Sequence, residues 1–168
     1  MVEIHLGRTI AAPQEQVFDW LADPVNLAAA PLALRAGYAR DSPGPGKGAL
    51  RQVIGPGMWF REQITAYDRP HSYSYLILKS FPPFDHEGGT LTFTASGTFT
   101  ASGTFTQSGT FTASGADSGG THVDWLSHYT HPAWAGGKLL EALSHRLLCT
   151  SFTAILDACA RSLESAVR

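Results

Sequence analysis

The stretch Lys138-Leu139-Leu140-Glu141-Ala142-Leu143 opens a run that continues to Val167 without a Gly or Pro. Within it Leu148, Phe152, Ile155, Cys159 and Leu163 recur at steps of three and four, which is one stripe of an α-helix. Leu140, Leu143 and Leu147 extend the rim of that stripe through the first turns. Ala and Leu, both strong helix formers, dominate the segment. Gly136-Gly137 marks the break before it, and Arg161 and Arg168 suit the negative end of the helix dipole. At about 1.5 Å per residue the spacing predicts a helix over 138–167 that is roughly 40–45 Å long. Such a helix needs a large apolar surface to lie on. The remainder of the chain reads as strands, so the expected fold is α+β: a curved antiparallel sheet wrapped around one long C-terminal helix.

Working back to the start, Val2, Ile4 and Leu6 alternate with polar residues as a first strand. A short helix is expected after Pro13, with Glu15 in its first turn and Val17, Phe18 and Leu21 on its buried face. Asp23-Pro24 stops it, and a second short helix is expected over Val25–Ala29. The strands that follow are expected at Leu32–Arg40, Ala49–Ile54, Met58–Tyr67, Ser72–Leu78, Thr90–Ala95 and Thr121–Thr130. Asp41 to Gly48, Gly55-Pro56-Gly57 and Asp68 to His71 are turns. Phe81-Pro82-Pro83-Phe84-Asp85-His86-Glu87-Gly88-Gly89 reads as a rigid, aromatic loop.

A chain of 168 residues fits a single domain with its own core. A net charge of −2 and no cluster of Lys and Arg exclude a nucleic-acid footprint. No window of about eighteen apolar residues exists, so no membrane span is expected. Glu3 and Arg8 interrupt any secretory signal pattern. Cys149 and Cys159, too far apart along one helix to bridge, read as small core residues in a reducing cytoplasm.

Between the last two strands the sequence repeats itself. Thr92-Phe93-Thr94-Ala95-Ser96-Gly97 recurs from Thr98, from Thr104 with Gln107 in place of Ala, and from Thr110, so the repeats span 92–115. The period is even, and in a continuous strand every Phe would face one way. Tight turns at each Ser-Gly, or one overlong hairpin, are the other conformations open to it. Three readings follow: an in-frame expansion of a hairpin tip, natural or engineered; a surface for self-association, since Phe on strong β-formers invites edge pairing; or ranks of Thr that bind ice.

The segments Ile10-Ala11-Ala12-Pro13, Val17-Phe18-Asp19-Trp20-Leu21-Ala22-Asp23-Pro24, Glu62 to Pro70 and Gly120-Thr121-His122-Val123-Asp124-Trp125 carry a resemblance. With the order of strand, two short helices, six strands and one long helix, the chain resembles the START/Bet v 1-like (SRPBCC) superfamily. Within it the chain looks most like the bacterial polyketide cyclase/dehydrase and lipid-transport family. The resemblance implies a helix-grip fold with a cavity between sheet and helix for an apolar or aromatic small molecule. It brings no universal catalytic motif, and the hexamers depart from the family pattern.

Alternation assigns the concave wall: Phe60, Glu62 and Ile64; Tyr73, Tyr75 and Ile77; Leu91 and Phe93; Val123, Trp125, Ser127 and Tyr129. A closed core would use the same residues. Of these Phe60, Ile64, Tyr73, Tyr75, Phe93, Trp125, Ser127 and Tyr129 are the expected ligand contacts, with His86 at the mouth. Glu62 is the candidate catalytic residue, since a carboxylate facing an apolar cavity has the pKa of a general acid or base. Tyr73, Tyr75 or Tyr129 can hydrogen-bond a ligand carbonyl. The alternative for Glu62 is a pair with Arg51 or Arg61, or solvent. No metal-ligand pattern is found among the seven histidines, so neither a metal nor another cofactor is expected. Ser127 beside His128 is no triad, because adjacent strand residues face opposite ways. Gly44 to Gly48 lacks the spacing of a phosphate loop. The function expected is binding of a small hydrophobic or aromatic ligand. An aromatase/cyclase-type enzyme, favoured by an inward Glu62 with an inward Tyr, and an assembly protein acting through the repeat hairpin are the alternatives.

Overall fold

The computed structural model describes residues 1–97, 119–135 and 137–165. Seven strands form one antiparallel sheet: β1 (Val2–Ile10), β2 (Arg35–Tyr38), β3 (Leu50–Gly55), β4 (Met58–Asp68), β5 (Ser72–Phe81), β6 (Asp85–Ser96) and β7 (Gly120–Thr130). Their spatial order is β1-β7-β6-β5-β4-β3-β2, so the chain's first strand pairs with its last. Between β1 and β2 lie α1 (Gln14–Ala22) and a 3-10 helix over Pro24–Ala29. The long helix α2 (Gly137–Ser165) follows β7 and crosses the concave face. This is the α+β helix-grip arrangement that the periodicity of the C-terminal run predicts. The last three residues of the chain lie outside the described residues.

One half of the grip is packed around α1. Val17, Phe18 and Leu21 of α1 are fully buried, and the Phe18 ring meets Tyr67, Tyr73 and Phe93 at centroid distances of 5.2, 5.7 and 5.0 Å. Gln14 fixes the helix from its start by donating to the carbonyl oxygens of Phe93 (2.8 Å) and Pro70 (3.2 Å). The Asp23 carboxylate caps the 3-10 helix by accepting from the Val25 N–H at 3.0 Å. Ile155, Leu156, Cys159 and Ala160, in the second half of α2, close over the same core. An ion pair between Arg8 and Asp157 ties that half to β1.

Several boundaries differ from those expected, each for a local reason. The β2 strand shrinks from the expected Leu32–Arg40 to Arg35–Tyr38, because the chain at Leu32 turns onto Gly55. A side chain at Gly55 would collide with the Leu32 carbonyl, so only glycine admits this approach. The expected loop over Phe81–Gly89 is mostly strand: β5 runs to Phe81 and β6 begins at Asp85. There His86 faces Tyr129 and Gly88 faces His128, leaving Glu87 as the extra residue of a β-bulge. The φ of +130° at Gly88 lets the backbone make that step. Thr92 to Ser96, within the first hexamer, is the ordinary end of β6, paired residue by residue with Asp124 to Gly120. The other hexamers fall on 98–115, outside the described residues. Ser96 and Gly120 are cross-strand partners, so the chain leaves and re-enters the sheet there, at the packed end of the grip.

Phe18 holds this end together, and Phe18→Ala is expected to cost about 3–5 kcal/mol. Equilibrium urea denaturation measures it; a loss below about 1 kcal/mol would mean that the ring cluster does not close the core.

Candidate ligand-binding cavity

The other half of the grip is hollow. A cavity of about 340 Å³ lies between the sheet and the first half of α2, within the size range of small-molecule sites. The helix contributes Leu140, Leu143, Leu147, Leu148, Phe152 and Ile155, and the sheet contributes Val53, Phe60, Ile77 and Trp125. Trp125 stacks on Phe152 at 4.1 Å between centroids and 8° between planes, a flat aromatic wall spanning strand and helix. Solvent reaches the lining at Leu32, Trp59, Phe81, Leu143 and Leu147, which mark the mouth.

At the boundary between the hollow and packed halves sits a buried ion pair. Arg51 and Glu62 are cross-strand partners on β3 and β4, only 2% and 3% exposed. Arg51 Nη2 lies 2.6 Å from Glu62 Oε1. The contact is charge to charge rather than a well-directed hydrogen bond, and Arg51 Nε finds no acceptor. The guanidinium lies 5.3 and 5.9 Å from the ring centroids of Tyr73 and Tyr75. Burial pushes the Glu62 carboxyl above its ordinary range, and Arg51 opposes that rise. Desolvation works against the Arg51 charge, but Glu62 and the tyrosines outweigh it, so Arg51 stays protonated. Beyond Arg51 a smaller hollow of about 240 Å³ opens towards Asp19, Asp23, Tyr38 and Tyr67.

The remaining polar groups of the wall are joined to one another. The Ile77 N–H donates to His86 Nδ1 at 3.1 Å, so the ring proton resides on Nε2 and is donated to Ser127 Oγ at 3.1 Å. His86 stacks on Tyr75 at 5.3 Å, and Trp125 Nε1–H donates to the Tyr75 hydroxyl at 3.0 Å. Burial, with a smaller contribution from His128, brings the His86 pKa down to about 4. Nearer the mouth, His131 Nδ1 donates to the Pro83 carbonyl (3.4 Å) and Nε2 accepts from Ser144 of α2 (2.9 Å). Tyr129 reaches the same Ser144 at 3.2 Å.

Two comparisons place this geometry among known proteins. The family described as polyketide cyclase / dehydrase and lipid transport matches residues 1–168. The chain belongs to that family. Among solved structures, TTHA0849 from Thermus thermophilus is 16% identical, with a TM-score of 0.66 over 99% of this chain and 100% of that one. XoxI from Bacillus cereus is 15% identical, with a TM-score of 0.64 over 100% and 99% of the two chains. The di-domain ARO/CYC StfQ from the steffimycin biosynthetic pathway is 17% identical at a TM-score of 0.58, over 96% of this chain and 46% of that one. At such identities these structures share the fold. No curated protein matches the chain.

Of the wall residues expected from alternation, the structure brings Phe60, Glu62, Tyr75, Ile77, Trp125, Ser127 and Tyr129 to the cavity, together with His86. It places Ile64, Tyr73, Leu91, Phe93 and Val123 elsewhere. All five are buried, and Phe18 of α1 packs on Tyr73 and Phe93. Ile64 and Tyr73 border the smaller hollow, and the Tyr73 hydroxyl is used up in donating to the Leu21 carbonyl at 2.9 Å. Burial pushes that phenol up to about 12. Unexpected contributors are Arg51, His131 and Ser144. The cross-strand position of Arg51 opposite Glu62 was open to sequence reading; the contact of His131 with α2 depends on how the helix docks. Among the described residues no group of three His, Cys, Asp or Glu side chains is placed to hold a metal ion. Nor is any helix among them long and apolar enough to cross a membrane.

The His86 geometry makes a pH prediction. The unfolded chain takes up the imidazole proton near pH 6.5, the folded protein only near 4. The stability this residue contributes is therefore whole above 6.5 and is lost as the pH falls towards 4. Urea denaturation across that window is expected to show a steeper loss for the wild type than for His86→Phe. Parallel curves would contradict the assignment.

Proposed function

We propose that the protein binds a small hydrophobic or aromatic ligand, lipid- or polyketide-like, in the cavity between the sheet and α2. The observation that carries this reading is the hollow half of the grip: an apolar chamber with a flat Trp125–Phe152 wall, an open mouth and a short inlay of polar groups. Apolar walls give affinity by removing ligand surface from water, and a few fixed polar groups give orientation. Family membership and the likeness to an ARO/CYC structure support the same reading.

A second reading is favoured by one feature of the wall. Glu62 and Tyr75 both line the cavity, an inward carboxylate with an inward phenol. A carboxyl held above its ordinary range by burial is a candidate proton donor or acceptor for aldol closure or dehydration of a polyketide-like chain. Arg51 would then stabilise the carboxylate form between proton transfers. Under this reading Glu62→Gln loses about 10²-fold or more in turnover while keeping ligand affinity. Under the binding reading Glu62→Gln changes affinity alone.

The test is titration with N-phenyl-1-naphthylamine, a neutral apolar fluorophore. Wild-type protein is expected to bind one molecule per chain with a blue-shifted emission. Ser151→Trp, which fills the chamber from α2, is expected to weaken binding about tenfold or more without changing the melting temperature. Absence of binding, or equal binding by the filled variant, would overturn the reading.

A further inference from the structure

Tyr75, Gly89 and Ser127 stand in one cross-strand row across β5, β6 and β7. The middle position has no side chain, and the Tyr75 ring occupies the gap: a Cβ at Gly89 would collide with the ring and with its hydroxyl. The phenol therefore lies over the backbone of β6 and reaches across it towards Ser127. Stacking with His86 fixes the ring from one side. Both hydroxyl-bearing residues line the cavity.

The hydrogen bonds of this row run in one direction. Tyr75 Oη accepts from Trp125 Nε1–H, and Ser127 Oγ accepts from His86 Nε2–H, whose tautomer is set by the Ile77 N–H. Indole N–H and backbone N–H are donors only. Trp125 and His86 thus supply protons, and apart from the contact of Tyr75 with Ser127 neither hydroxyl finds, among the described residues, a carbonyl, carboxylate or ring nitrogen for its own proton. Should Tyr75 donate to Ser127, the Ser127 proton would still be left over. The same tautomer bars the pair from serine-type nucleophilic chemistry, because Nε2 already carries the proton it would have to accept.

We propose that the Tyr75 and Ser127 hydroxyls form a two-donor site for a carbonyl oxygen, and that the ligand is a neutral ketone or quinone. The proposal rests on reading the cavity as a binding chamber and adds what the ligand must carry. Two converging donors whose oxygens already accept from Trp125 and His86 fit an acceptor better than a second donor. A carboxylate fits less well: Glu62 lines the same cavity, and Arg51, the charge that would balance an anion, is already paired with it.

Two naphthalenes of matching shape test this, 2-acetylnaphthalene and 2-ethylnaphthalene, followed by calorimetry and by the infrared carbonyl band of the bound ketone. The wild type is expected to prefer the ketone about tenfold, with its carbonyl stretch moved to lower wavenumber. Tyr75→Phe and Ser127→Ala should each remove most of that preference and of the band shift, with a much smaller change in 2-ethylnaphthalene affinity. Melting curves identify any variant that does not fold, and the other variant then carries the test. Equal affinity of the wild type for the two probes, or an unaltered preference in a folded variant, would overturn the carbonyl site. Failure of both probes to bind the wild type would overturn the chamber itself.

Discussion

The Arg51–Glu62 ion pair is the constraint around which the interior is arranged. Taking two charges out of water costs several kcal/mol for each ion, and their attraction offsets this only where the surroundings are polar enough. Here the surroundings are the faces of Tyr73 and Tyr75, with an unpartnered guanidinium nitrogen left over. A pair of this kind is a weak source of stability. Its position is what matters, since it stands where the packed half of the grip meets the hollow half. On one side α1 fills the space between sheet and helix with aromatic rings. On the other nothing among the described residues does, and the same helix that closes a core with Ile155 and Cys159 roofs a chamber with Leu143 and Leu147.

That division accounts for the burial along α2. Its apolar stripe is continuous in sequence, yet its second half is buried and its first half only partly so. The stripe in the first half faces a space large enough for a ligand. The polar inlay on the opposite wall depends on position in the same way. Glycine at 89 makes room for the Tyr75 ring, and the bulge at Glu87 turns His86 inward beside it. Without that bulge, alternation from Gly89 would have put residues 87 and 85 on the inner face.

The helix and most strands were legible in the sequence because they repeat a simple period over many residues. The 3.6 period of the C-terminal run and the two-residue period of Phe60-Glu62-Ile64 or Val123-Trp125-Ser127 survive folding unchanged. What was not legible depends on breaks in the period or on docking. His86 read as a loop residue because Pro82-Pro83 announces a turn, whereas the bulge that restores the strand is marked only by Gly88-Gly89. Ile64, Tyr73 and Phe93 read as wall residues and are inward. Whether an inward residue meets ligand or core is decided by where α1 sits, and alternation carries no information about that. Arg51 was legible as one of two partners for Glu62, and its cross-strand register selects it over Arg61.

Strands β6 and β7 end their pairing at Ser96 and Gly120, the end away from His86 and the mouth. The most direct measurement is native mass spectrometry of the protein purified from its own host, beside a deletion lacking Ser96 to Ala113. The same single small molecule, apolar and carbonyl-bearing, is expected on both forms. Bare protein in both, with oligomers only in the full-length chain, would contradict it and make the repeats the centre of the function.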